Sequence, residues 1–335
     1  YIGNIFQNHQ VYGDRMIKSP TNKFDTFPES NFIDASIQDG DDIIKLEEYA
    51  DRLLQFKKNK MHLINISQNL EFLEDTFMHK GVSHPAATCK TDFGIAWVNK
   101  HGVYLYNGKD VSNLLEKKGV QIIKESEWTN FLSEDKDGVT ETTPMIGYVP
   151  KKRQLIVFDD VKDRSDADPR MYLYDIVTQS WSTGAHNDSY KNIAVSKTNA
   201  TTDWNADLIY MHTAGQVVRW DDTSKETSTF SFITRDIDFK SPGQKKRIYK
   251  VLITYKSDGA SYVDVYSAKN RIETWTEITD AGGLIDTGGD WSTVELDITP
   301  DNIYSFRLKF ESNGTTPADF EINDISILYR LKGTR

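Results

Sequence analysis

Two kinds of side chain in this 335-residue chain are suited to chemistry: carboxylates set close together, and aromatic rings that can lie against a sugar. Asp39, Asp41, Asp42, Glu125, Glu127, Asp159 and Asp160 are the acidic candidates, because glycoside hydrolysis needs an acid and a base flanking one bond. The stretch "FDDVKDRSDADPR" (158 to 170) is also dense enough in Asp to hold a calcium ion through oxygen ligands. Acidic loops between strands serve more often as solvated turns that block edge pairing, and that plainer reading is preferred for all seven. His79, His84 and Cys89 are spaced like no common structural zinc site, and "MHKGVSHPAAT" (78 to 88) reads as a connector. There is no Gly-x-Ser-x-Gly elbow and no Gly-rich phosphate loop ahead of a helix. The expectation is therefore no catalytic, cofactor-binding or metal-binding residue. Candidates for contact with a glycan are Trp275, Trp291 and Tyr304, whereas Trp97, Trp181, Trp204 and Trp220 sit at strand positions and read as core. Asn187-Asp188-Ser189, Asn199-Ala200-Thr201 and Asn313-Gly314-Thr315 match glycan acceptors by letter only.

Bulk composition narrows the classes. Apolar residues make up 38%, aromatics 12% and charges 27%, enough to bury a core. A net charge of −10 argues against a basic nucleic-acid groove and suits a surface that DNA passes without sticking. No run of about 18 apolar residues is present, so no membrane span is expected. One cysteine, Cys89, excludes an internal disulfide framework and fits folding in a reducing cytoplasm. The chain opens at Tyr1 without a methionine, which points to processing or to a preceding segment.

The elements that must position these residues are strands. "DRMIKSPTNKF" from Asp14 returns as "DRLLQFKKNKM" from Asp51, with Asp-Arg and Asn-Lys in matching register. Hairpin patterns follow at 94 to 108, around Asn99-Lys100-His101-Gly102, and at 206 to 222, around Thr213-Ala214-Gly215. "RQLIVFDD" (153 to 160) and "RMYLYDIVTQSWSTG" (170 to 184) form a third, flanking the acidic loop. The clearest helical patterns, "DIIKLEEYADRLLQF" (42 to 56) and "VSNLLEKKG" (111 to 119), are short or poorly bounded. Anchors at Met16, Leu53, Ile95, Leu155 and Leu208 mark repeats of propeller-blade length. The expected fold is all-β: a β-propeller over 1–238, of about five blades with six if an upstream strand completes the ring, followed by a jelly-roll-like β-sandwich over 239–335. In that reading each repeat builds the inner hairpin of a blade. Ser241-Pro242-Gly243 reads as the hinge, and strands are expected at 247–257, 262–269, 291–298, 304–312 and 319–331.

Three passages carry a resemblance. "DDIIKLEEYADRLLQFKKNKMHLINIS", then "GVSHPAATCKTDFGIAWVNKHGVYLYNGKDVSNL", and the closing "FEINDISILYR" (320 to 330) resemble propeller-bearing tail nozzle and head-to-tail stabilisation proteins of short-tailed bacteriophages. The likeness covers roughly 40 to 330 and rests on pattern. It implies a non-enzymatic virion structural protein made in the host bacterial cytoplasm. It further implies a homo-oligomeric ring, a hexamer, in contact with tail adaptor or tail-tube proteins and tail fibres. Such a ring forms or closes the DNA exit channel during ejection, passing DNA without specific binding, and carries no cofactor. Loops 110 to 140 and 161 to 170 are the expected ring contacts. The alternatives are a host-surface glycan-binding protein and a five-bladed-propeller glycoside hydrolase.

Overall fold

Alternating runs of Val, Ile, Tyr and Phe broken by short polar turns become strands along nearly the whole chain. The computed structural model describes residues 1–37, 39–68, 70–133, 143–159, 170–185, 190–195, 207–212, 215–220, 230–259, 263–280, 283–298, 300–313 and 320–333. They fall into two compact units, Tyr1–Asp221 and Asp222–Arg335.

The first unit is a five-bladed propeller of consecutive antiparallel sheets. The first blade pairs β1 (Ile2–Gln7), β2 (Gln10–Ile17) and β3 (Phe32–Asp34). The second runs β4 (Ile43–Tyr49), β5 (Arg52–Lys57), β6 (Lys60–Asn65) and β7 (Phe72–Met78). The third is β8 (Thr88–Thr91), β9 (Gly94–Asn99), β10 (Gly102–Tyr106) and β11 (Val111–Asn113), followed by the small hairpin β12 (Glu116–Lys117) and β13 (Val120–Gln121) and the helix α1 (Glu125–Ser133). The fourth is β14 (Met145–Val149), β15 (Gln154–Phe158), β16 (Arg170–Asp175) and β17 (Ser180–Ala185); the fifth is β18 (Tyr190–Val195), β19 (Leu208–His212) and β20 (Val217–Arg219). Neighbouring sheets meet at their first strands, β1 beside β4, β8 beside β14 and β14 beside β18.

All five repeat anchors lie on the second strand of a sheet: Met16 on β2, Leu53 on β5, Ile95 on β9, Leu155 on β15 and Leu208 on β19. The repeated hairpin is thus the second and third strands of a blade, and the innermost strand is the one before it. The two lettered copies are only partly equivalent, because Asn59-Lys60 turns into β6 while Asn22-Lys23 lies in the loop between β2 and β3. Within "RLLQF" the strand period of two sends Leu53 toward one neighbouring sheet, to Met16 there and Ile43 of its own sheet, and Leu54 and Phe56 toward the other, to Ile95 and Trp97.

Both helical patterns are strands. "DIIKLEEYADRLLQF" is the β4–β5 hairpin, turning at Ala50, whose φ of +53° suits a tight turn between twisted strands. "VSNLLEKKG" supplies β11 and β12. The sole α-helix among the described residues, α1, buries Trp128, Phe131 and Leu132, and the Trp128 indole donates to the Asn99 carbonyl at 3.2 Å.

The second unit stacks two sheets. One is β21 (Ser231–Ile233), β26 (Phe306–Ser312), β23 (Val263–Lys269) and β24 (Thr276–Glu277) in that order; the other is β25 (Ser292–Asp297), β22 (Lys246–Lys256) and β27 (Glu321–Leu331). Val251, Ile253, Val265, Phe306, Leu308 and Phe310 fill the space between them. The expected strands all appear within a few residues of their bounds. β21 lies ahead of the 238 join expected from sequence, yet it pairs with β26 and so belongs to this unit.

Candidate functional site

The acidic candidates are held in structural roles. Lys57, at the end of β5, is fully buried, and its ammonium donates to Asp14 Oδ1 at 2.8 Å, Ser36 Oγ at 2.8 Å and both Asp39 oxygens at 3.0 and 2.9 Å. Lys60 Nζ adds a contact to Asp39 at 2.6 Å. Ser36 Oγ donates to Asp39 Oδ2 at 2.6 Å and lies 3.1 Å from His62 Nε2, while His62 Nδ1 lies 2.9 Å from Thr76 Oγ1. With the Ser36 proton on Asp39, the network assigns the His62 proton to Nε2, so the imidazole donates to the serine and does not activate it as a nucleophile. Asp41 is buried and accepts the Lys58 and Asn59 amides at 2.8 and 2.9 Å, fixing the β5–β6 turn. Asp42 lies against Gly13, where a Cβ would sit 1.7 Å from its carboxylate.

This network makes the fold acid-sensitive. Burial alone would raise the Asp39 pKa, but hydrogen bonds from Lys60, Ser36 and Lys57 hold it well below its ordinary 3.8. Burial, then the charges of Lys57 and Lys60, lowers His62 from 6.5, and His101 is lowered likewise by burial and by Lys100, His79 and Lys80. Depressed imidazoles leave the unfolded chain binding more protons once the pH falls below 6.5, and Asp39 adds a second loss below 3.8. The urea midpoint is therefore expected to be flat near neutrality and to fall in two acid steps, the first shrinking in His62→Gln. A midpoint that rises between pH 6.5 and 5 would contradict this.

Glu125 and Glu127 occupy the first turn of α1, where carboxylates complement the helix dipole, and Asp159 is buried at the end of β15. Asp160, the rest of the acidic loop to 169, Trp204 and the acceptor triplets at 187 and 199 lie outside the described residues. The five first strands carry two carboxylates, Glu47 and Glu48, both on β4; Glu47 accepts from Thr88 at 3.0 Å and Glu48 pairs with Lys90 at 2.5 Å. Hydrolysis instead needs carboxylates facing one another across a sugar. His79, His84 and Cys89 are not brought together: the His84 ring caps a short 3₁₀ turn through the Ala86 amide at 3.1 Å, His79 lies edge-on to His101 at 5.5 Å, and burial pushes the Cys89 thiol pKa up.

The glycan candidates separate. Trp291 stands beside Lys256 at one end of β22, its ring 5.4 Å from the ammonium, whereas the Tyr304 carbonyl accepts from Lys246 at the other end, at 2.9 Å. At about 3.3 Å per residue, ten residues of strand place them roughly 30 Å apart, so they cannot share a platform. Trp275, just ahead of β24, is the one with a constructed setting. Arg307 lies 5.4 Å and Lys309 5.6 Å from its ring centre, and Lys309 also covers Tyr266 at 4.3 Å. Lys309 is held by Glu311 at 2.7 Å, and Arg307 is 3.9 Å from Glu273. Register explains the assembly: Tyr266 faces Lys309 across β23 and β26 and Glu277 across β23 and β24, and Asp264 faces Glu311. Burial, then Asp264, Glu277 and Glu311, raises the Tyr266 pKa, which keeps its hydroxyl a donor. Asp264 is buried, and its Oδ1 has no hydrogen-bond partner among the described residues. Sequence reading missed Tyr266, Arg307 and Lys309, although alternation in "VDVYSAK" and "FRLKFES" places them on one face.

No protein-family model and no curated protein matches the sequence. Among solved structures the chain is similar to the exo-β-1,3-galactanase of Phanerochaete chrysosporium, at 8% identity over 86% of this chain and 82% of that one, with a TM-score of 0.26. It is also similar to a glycoside hydrolase family 43 arabinoxylan arabinofuranohydrolase of Bacillus subtilis, at 9% identity over 85% of this chain and 95% of that one, with a TM-score of 0.24. These neighbours are enzymes, so the expectation that the chain is not an enzyme is withdrawn; they assign no residue here a role.

Proposed function

We propose that this chain is a carbohydrate-binding protein that engages a glycan through the Trp275 face of its C-terminal sandwich. The observation that carries the reading is the pair of rings, Trp275 and Tyr266, flanking Lys309. A pyranose stacks its C–H face on an aromatic ring and presents hydroxyls outward, and here a phenol, two cations and an ordered set of carboxylates meet them. The pattern likeness of residues 40–330 to short-tailed phage nozzle proteins supplies a setting, with the face presented to a host surface by an oligomeric tail component.

The test is titration calorimetry against a panel of neutral and uronate-containing oligosaccharides. Trp275→Ala is expected to weaken binding by about tenfold or more, while Trp291→Ala leaves it unchanged. Equal affinity in the two variants would remove this face from consideration. Reducing-sugar release on the same panel decides whether binding is coupled to hydrolysis. Labelling of intact phage tails by an antibody against the sandwich tests the setting.

A further inference from the structure

β27 is eleven residues long, and among the described residues it has β22 on one side and no strand on the other. Such an edge is a row of free amides and carbonyls that proteins normally blunt with Pro, Lys, a bulge or a short strand; "EINDISILYRL" has no Pro or Lys, and its one bulge, at Asn323, lies outside the stretch from Asp324 to Leu331. It also keeps apolar side chains in solvent, with Leu328 53%, Tyr329 37% and Leu331 39% exposed. From Asp324 to Leu331 β27 has no extra residue, the bulge opposite Leu328 and Tyr329 being on β22 at Tyr249, so Asp324, Ser326, Leu328 and Arg330 share one face, and all four are exposed. Asp324 accepts from the Ser326 hydroxyl at 2.9 Å, and neither it nor Arg330 has an ion-pair partner among the described residues.

We infer that β27 pairs antiparallel with β27 of a second copy of this chain, about a twofold axis at Ile327, with Asp324 of each copy opposite Arg330 of the other. The charge order selects this occupant. One end of the face is acidic and the other basic, so an antiparallel self-pair joins opposite charges twice, whereas a parallel one sets like against like. The same register places each Leu328 over Ser326 of the other copy and covers its methyl groups. The pairing extends a three-stranded sheet into a six-stranded one and is isologous, so it closes at two copies. It is independent of the glycan reading, because Trp275 and Lys309 belong to the other sheet.

Sedimentation equilibrium of the full chain from low to high micromolar concentration is the test. A monomer–dimer equilibrium is expected. Asp324→Arg and Arg330→Asp, each turning two attractive pairs into repulsive ones, should each weaken it by about tenfold. The double variant Asp324→Arg/Arg330→Asp should restore it, and amide exchange over 324–330 should slow as concentration rises. Circular dichroism melting checks that these exposed substitutions leave the fold intact. A chain that stays monomeric, an association that neither single reversal weakens, or a double variant that fails to recover would each overturn the inference.

Discussion

Lys57→Ala is expected to destabilise the propeller by about 3–5 kcal/mol, read as a fall in the urea midpoint at unchanged slope. The wild-type ammonium has no solvent exposure and spends its donors on Asp14, Ser36 and Asp39. Deleting it leaves the part-buried carboxylates of Asp14 and Asp39 close together, with Lys60 the one cation against Asp39 among the described residues, and removing one partner of such a cluster costs far more than an intact pair contributes. The loss also breaks a long-range tie, since Asp14 belongs to β2, Ser36 and Asp39 to the connector after β3, and Lys57 to β5. Lys60→Ala is the matched control. Its side chain is 16% exposed and contacts one carboxylate, so a loss of about 1 kcal/mol is expected, and a Lys57→Ala effect no larger than that control would refute the account.

Trp97→Ala is expected to cost about 3–5 kcal/mol by the same measurement. Trp97, on β9, has no solvent exposure and packs edge-on to Phe56 of the neighbouring blade at 5.2 Å and against Tyr104 of its own at 5.5 Å. Truncation would open a cavity between two sheets that each bury a face only against the other. Trp97→Phe separates packing from polarity. The Trp97 indole nitrogen has no hydrogen-bond partner among the described residues, so Phe gives up some volume but also removes an unsatisfied donor, and a smaller loss of about 1–2 kcal/mol is expected. If Phe proves as damaging as Ala, the indole nitrogen has a partner and the packing account fails.

The candidate site was legible in pieces. Trp275 stood out by type, but its partners Tyr266, Arg307 and Lys309 come from strands about ten and thirty residues away, and only the register of β23 with β26 brings them together. Trp291 and Tyr304 looked equivalent to Trp275 by composition. They lie at opposite ends of β22, a separation that one-dimensional spacing does not encode. The acidic residues misled for a related reason: a carboxylate in a loop has the same letter whether it waits for a substrate or, like Asp41, closes a turn onto two amides.

By itself the sequence determined that the chain is all-β, where most strands run and that the repeats are blades, because strand periodicity and turn chemistry act over a few residues and are written locally. Its clearest helical pattern, over 42 to 56, turns out to be the β4–β5 hairpin, since a short apolar run satisfies either period until a pairing partner is present. Only the tertiary structure decided which strand of each repeat lies innermost, that β21 joins the sandwich, that Lys57 is a buried hub and that Trp275 stands with two cations and Lys309 bridges it to Tyr266. Each of those depends on which distant segment supplies the opposite face, and contact across sequence distance is fixed by packing and register alone.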